Sequence, residues 1–182
     1  MPNWCRNEMF FGSKSDAEKV WNGMQYDYKI YNNINNNLEV VDKTRFSFEM
    51  VMPSPTKKEE CPKEYLVSED SHIQLEAEKP WFDWYKWNYD NWGVKWDACD
   101  AYYDGHSCIY FDSPWSPPNK EIFARIAEKF NVEFTSNHED GEGSYIPYDY
   151  FWFPNREDNY ESENYELNDN EDSEEYYEED SL

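Results

Sequence analysis

Apolar patterning stops at Arg156. Beyond it, residues 157–182 carry 13 acidic and no basic residues, with Leu167 and Leu182 as the only aliphatic ones. Such a segment cannot bury enough apolar surface to offset the entropy of ordering it, so it is expected to be a disordered acidic tail. Folding is thereby confined to residues 1–156, a length suited to one domain.

Within that body the patterning is regular enough to order. Arg6–Phe11 reads as a strand stopped by Gly12. Ser15 and Asp16 look like a cap before Ala17, Val20, Trp21 and Met24, which have helical spacing. Asp27–Asn37 is Asn-rich and expected to loop, and Thr44–Met52 alternates as a strand until Pro53 and Pro55. Residues 56–78 read as a charged surface excursion, and Ala77–Asp90 as a short helix. Val94–Tyr103 and Ser107–Asp112 flank Asp104-Gly105, a hairpin signal. Ile122, Phe123, Ile126, Ala127 and Phe130 form the clearest helical stripe, opened by Asn119. Val132–Ser136 and Tyr145–Phe153 then read as strands. The order predicts an α+β fold: a ferredoxin-like split βαβ antiparallel sheet with helices on one face, and a central insertion at about residues 53–92.

Charge limits the function classes. The chain holds 40 acidic and 16 basic residues, a net −24, and the body alone keeps −11 once the tail is set aside. Nucleic-acid binding needs a basic footprint, and anionic membranes attract Lys/Arg clusters, so neither is the expected partner. A protein with a basic surface would be steered toward this chain. With no signal-like or membrane-spanning run visible, the cytosol is the expected compartment, with reduced thiols.

The chain supplies few constellations for chemistry. Cys99, His106 and Cys108 are weak metal candidates, because Cys-x6-His-x-Cys matches no established ligand spacing. Cys5 beside Arg6 is read either as an activated thiol or as a buried inert one. No acid–base pair or phosphate-cradling glycine loop stands out, so no enzyme activity and no cofactor are expected. The densest unusual segment is Trp81–Trp96, with five of the nine tryptophans in 16 residues. Most of these rings are read as core, while Trp92, Lys95, Trp96 and Trp115 are candidates for an exposed recognition surface. Glu174, Glu175, Tyr176, Tyr177, Glu178 and Glu179 are further candidates, as a tail that plugs a basic groove.

Three separated motifs, Met1-Pro2-Asn3-Trp4-Cys5-Arg6-Asn7, Asn91-Trp92-Gly93-Val94-Lys95-Trp96-Asp97-Ala98 and Trp115-Ser116-Pro117-Pro118, resemble a YubB-like family of bacteriophages and conjugative plasmids. The resemblance spans about residues 1–153. It departs at Val94, where that family usually has Thr, and in the Asn-rich segment and the tail. It implies a C-terminal ferredoxin-like domain and a small accessory protein of a mobile element in a bacterial cytosol, with no catalytic residues to carry over. The combined expectation is a protein that binds and modulates a host protein, a nucleic-acid-handling or defence factor, through an acidic surface and exposed aromatics. The alternatives are a nucleic-acid binder that uses sheet aromatics as stacking platforms, and a Cys- or metal-dependent enzyme.

Overall fold

A computed structural model of the chain describes residues 3–34, 37–67, 79–139 and 148–163. Its first strand, β1 (Trp4–Phe11), buries Cys5, Asn7, Met9 and Phe11 and turns Trp4, Arg6, Glu8 and Phe10 the other way, the two-residue period of a sheet with one covered face. Helix α1 (Lys14–Gly23) follows, capped by the Ser13 hydroxyl, which accepts from the Asp16 amide, two residues earlier than the sequence suggests. A hairpin of β2 (Gln25–Ile34) and β3 (Asn37–Phe46) comes next, then α2 (Trp84–Asn91). The second half runs β4 (Cys99–Tyr103), β5 (Cys108–Pro114), α3 (Lys120–Phe130), β6 (Phe134–His138), β7 (Tyr148–Trp152) and β8 (Tyr160–Glu163).

Six strands form one antiparallel sheet in the order β4-β5-β1-β6-β7-β8, and β2-β3 stands as a separate ribbon. β1 lies between β5 and β6, pairing Asn7 with Phe111 on one side and with His138 on the other. The β1-α1-β4 and β5-α3-β6 units interleave in this way, which is the split βαβ arrangement expected from the sequence. Helices α1 and α3 cover one face. Ala17 and Val20 from α1, and Ile122, Phe123, Ile126, Ala127 and Phe130 from α3, are buried in one cluster with Met9, Ile109, Phe111, Phe134 and Trp152 of the sheet.

The insertion is larger and more integral than the sequence suggests, occupying the whole α1-to-β4 connection. The Asp27–Asn37 segment is strand rather than loop over most of its length, because ten residues of β2 pair in register with ten of β3. That pairing offsets the poor strand propensity of Asn, which is context-dependent in any case. The strand expected over Thr44–Met52 ends at Phe46. Ser47 then caps a 3-10 turn over Phe48–Met50, and the Phe48 amide donates to Asp97 Oδ1, 49 residues away. Phe46, Phe48, Trp87, Trp92 and Val94 from this region are all core. Cys61, within the segment expected to be a surface excursion, is buried too, and residues 68–78 lie outside the described residues.

The sheet also runs past Arg156. β8 pairs with β7 from Tyr148↔Glu163 to Phe151↔Tyr160, and Arg156 bridges Glu121 and Glu128 of α3. Residues 164–182, the rest of the expected tail, lie outside the described residues. Among the described residues no helix is long and apolar enough to cross a membrane.

Because β1 joins β5 to β6, the only strand to do so among the described residues, a chain beginning at residue 24 should lose cooperative folding, not merely some stability. Urea unfolding followed by tryptophan fluorescence should show a broad drift in place of a sigmoidal transition. A sharp transition in that fragment would contradict the central role of β1.

Candidate functional site

Three tryptophans, one from each of the three separated motifs, meet at one end of the sheet. Trp4 opens β1, Trp96 precedes β4, and Trp115 follows β5. The Trp96 ring stacks on Trp115 at 5.9 Å between centroids and lies 6.2 Å from Trp4. Trp4 and Trp115 are 42% and 47% exposed, so the rings form a surface ridge rather than core. Lys95 lies over Trp96, its Nζ 4.6 Å from the ring, and also approaches Tyr85.

Trp115 is held there against its backbone preference. Its φ of +65° falls in the left-handed region, which is unfavourable for a bulky residue by about 1–3 kcal/mol. Three bonds fix the turn. The Trp115 amide donates to the Asn3 carbonyl at 2.8 Å, the Ser116 amide donates to the Pro114 carbonyl, and the Ser113 hydroxyl donates to the Ser116 carbonyl at 2.6 Å. Ser113 in turn accepts from Asn7 Nδ2 at 2.9 Å, deep in the sheet. Asn7 is fully buried, and its amide also reaches the Cys5 and Phe111 carbonyls while its Oδ1 has no partner. An orphaned buried oxygen is unfavourable by about 1–3 kcal/mol, so Asn7 serves the turn at some expense to the core.

The middle motif is locked to the same loop through Gly93. Its φ is +79°, and a Cβ there would sit 2.9 Å from the Asn119 backbone nitrogen. That close approach lets the Asn119 amide donate to the Trp92 carbonyl at 2.7 Å, while Asn119 Nδ2 donates to the Asn91 carbonyl. Trp92 itself is not part of the ridge as expected. It is 4% exposed, packs edge-on against Trp87 and Phe48, and its indole donates to the Met52 carbonyl.

Asp97, next to Trp96, anchors the ridge from below. Its Oδ1 accepts from the Phe48 and Ala98 amides, and its Oδ2 from Ser47 and from Arg45 at 3.2 Å. Burial pushes its carboxyl above the usual carboxylate range, against the pull of Arg45, Ser47 and the two amides.

The open face of the sheet continues from the ridge, and no described element crosses it. Arg6 Nε is 3.9 Å from Asp112 and its charge also reaches Glu8, while Asp100 and Glu139 add carboxylates beside Asp112. Partial burial raises the Glu8 and Asp112 carboxyls; Glu139 adds to the rise at Glu8, and at Asp112 the pull of Arg6 works against burial, Asp100 and Glu139. Tyr102 and Tyr110 stack on this face at 4.7 Å, with Tyr102 half exposed. Burial, with Cys108 and Glu8 nearby, pushes the Tyr110 hydroxyl up to about 12.

Of the residues singled out from sequence, Lys95, Trp96 and Trp115 come together, and Trp92 does not join them. Glu174, Glu175, Tyr176, Tyr177, Glu178 and Glu179 lie outside the described residues. Cys99 stands at a bulge in β4, His106 in the turn bonded to Asp104, and Cys108 at the start of β5. Among the described residues no group of three His, Cys, Asp or Glu side chains is placed to hold a metal, and the four cysteines are free thiols. Cys5 is fully buried, its thiol donating to the Glu139 carbonyl. Trp4, Asn7 and Ser113 are parts of the ridge that sequence reasoning did not select. The strict alternation of β1, which puts Trp4 opposite Cys5 in facing, was the signal for the first of them.

A six-stranded antiparallel sheet built on two split βαβ units, with its helices on one face, defines a ferredoxin-like α+β domain. Residues 91–180 match the family model described as a ferredoxin-like domain in Api92-like protein. That stretch contains β4 through β8 and α3, while β1 and α1, which complete the fold, come from residues 4–23. No curated protein and no solved structure matches the chain.

The raised Asp97 carboxyl carries a sign for stability. A group that holds its proton more tightly in the folded chain favours folding at acid pH, and that contribution is lost as pH rises through the raised value. The stability of the Asp97→Asn protein relative to the parent should therefore improve between about pH 4 and about pH 7, measured by urea unfolding at each pH. A relative stability that falls over that range would refute the assigned direction.

Proposed function

We propose that this chain is an accessory protein of a phage or conjugative plasmid that binds and modulates a host protein, docking a basic surface on the Trp4–Trp96–Trp115 ridge and the acidic open face beside it. The host factor is one that handles nucleic acid or serves in defence, because such proteins carry the basic faces that this surface complements. The carrying observation is Trp115: a bulky residue kept at positive φ and half exposed, with a buried asparagine network supporting its turn. Backbone strain at an exposed aromatic that covers no core is the mark of a presented anchor. The carboxylates supply encounter rate and orientation, and the rings supply residence through apolar contact and cation–π contact with Arg or Lys. The resemblance of the three motifs to YubB-like proteins supports the mobile-element setting and a bacterial cytosol.

A second reading rests on the Tyr102–Tyr110 pair, since single strands stack on sheet aromatics in other ferredoxin-like domains. The surrounding carboxylates oppose it, because each would repel phosphate.

Affinity capture from nuclease-treated bacterial lysate tests the proposal. The full chain should retain a basic protein at low salt and lose it as salt rises, and Trp115→Ala should weaken its retention by roughly thirtyfold, the scale of a hot-spot truncation. Equal retention by Trp115→Ala would remove the ridge from the account. Capture of nucleic acid alone, from untreated lysate, would favour the stacking reading instead.

A further inference from the structure

A concavity lies on the insertion side of Trp96. It encloses about 630 Å3 between the inserted segment and the residues that lead into β4. Small-molecule sites run from about 300 to about 1,000 Å3 and combine apolar walls with a few convergent polar groups. Here Tyr26, Trp84 and Trp96 supply partly exposed rings, while Arg45, Lys79, Glu49 and Asp97 supply the charges.

The balance of used and unused hydrogen-bonding capacity gives the ligand's sign. Both carboxylates already accept from within the protein. Asp97 takes four donors, as described above, and Glu49 accepts from the Ser54 amide at 2.6 Å and the Ser54 hydroxyl at 2.7 Å. The cations are not spent in the same way. Lys79 Nζ makes one hydrogen bond, to the Ser54 hydroxyl at 3.1 Å, and has no carboxylate within ion-pair distance among the described residues. Arg45 commits one nitrogen to Asp97, and 42% of its side chain remains exposed. A guanidinium has five N–H donors and an ammonium three, so the cleft presents more unused donors than unused carboxylate acceptor sites. Flat rings beside them favour a planar body on the guest.

We propose that this cleft binds a small planar aromatic anion, its ring against Trp84 and Trp96 and its phosphate or carboxylate on Lys79 and Arg45. The site is separate from the ridge in its ligand and shares only Trp96 with it, so it goes beyond the docking function and does not depend on it.

The test uses the full chain in calorimetric titrations with two anionic probes, adenosine 5′-monophosphate and indole-3-acetate, each beside its neutral counterpart, adenosine or indole. The expected result is submillimolar binding of at least one anion, with the matching neutral compound weaker by roughly tenfold, the value of one charge-assisted bond. Lys79→Gln, a change at a partly exposed side chain, should weaken the anion by a similar factor without lowering the melting temperature. No binding of either anion at millimolar concentration would overturn the proposal. Equal binding of anion and neutral compound, or an undiminished affinity in Lys79→Gln, would overturn it as well. None of these outcomes bears on host-protein capture, which Trp115→Ala reports independently.

Discussion

Everything else in the molecule is hung on the two hydrogen-bonded ladders of β1. Residues 4–11 thread between β5 and β6, so the N-terminal segment joins stretches that lie about a hundred residues downstream. Such non-local pairing carries a loop-closure entropy, and the covered face of β1 offsets it by burying Met9 and Phe11 against α1, α3 and the neighbouring strands. The open face of the same strand carries Trp4, Arg6 and Glu8. One strand therefore both closes the core and supplies part of the proposed docking surface.

That double role explains the polar network inside the sheet. Asn7 faces the core, where an apolar residue would be favoured by burial alone, and its amide links β1 to Ser113 and thence to the turn that holds Trp115. The adjacent Asn3 carbonyl takes the Trp115 amide. Gly93 allows the third chain segment to come close enough for Asn119 to bind it. The ridge is consequently over-determined by its surroundings, which is the condition for a strained backbone to persist. Beside it carboxylates outnumber the one guanidinium, and Glu139 adds to the raised proton affinity of Glu8 and Asp112. A basic partner would relieve that repulsion.

Where structure follows local pattern, the sequence was legible. The stripe Ile122, Phe123, Ile126, Ala127 and Phe130 became the buried face of α3, and the Asp104-Gly105 signal became the β4–β5 turn, with Gly105 at positive φ. The split βαβ class followed from the element order, but the strand that closes the first unit is β4, beyond the insertion, and not the Thr44–Met52 segment that the order suggested. What was not legible depended on distant partners. Asn-rich β2 is a strand because β3 pairs with it along its length, and Phe48 leaves the strand because Asp97 captures its amide. Trp92 sits inside because Met52 offers its indole a carbonyl, whereas Trp96, four residues on, is partly exposed. Composition alone cannot separate those two rings. β8 was hidden because Tyr160–Glu163 is acidic and short, a segment that reads as tail until β7 gives it a ladder.

The central claim is that basic side chains dock on the ridge and open face, and indole resonances report it directly. A 15N spectrum of the nine tryptophans, recorded during titration with an oligoarginine peptide, separates exposed rings from buried ones. The account predicts saturable shifts at Trp4, Trp96 and Trp115, weakened by salt, with Trp92 and Trp152 unmoved. Shifts absent from those three rings, or spread evenly over exposed and buried indoles alike, would contradict it.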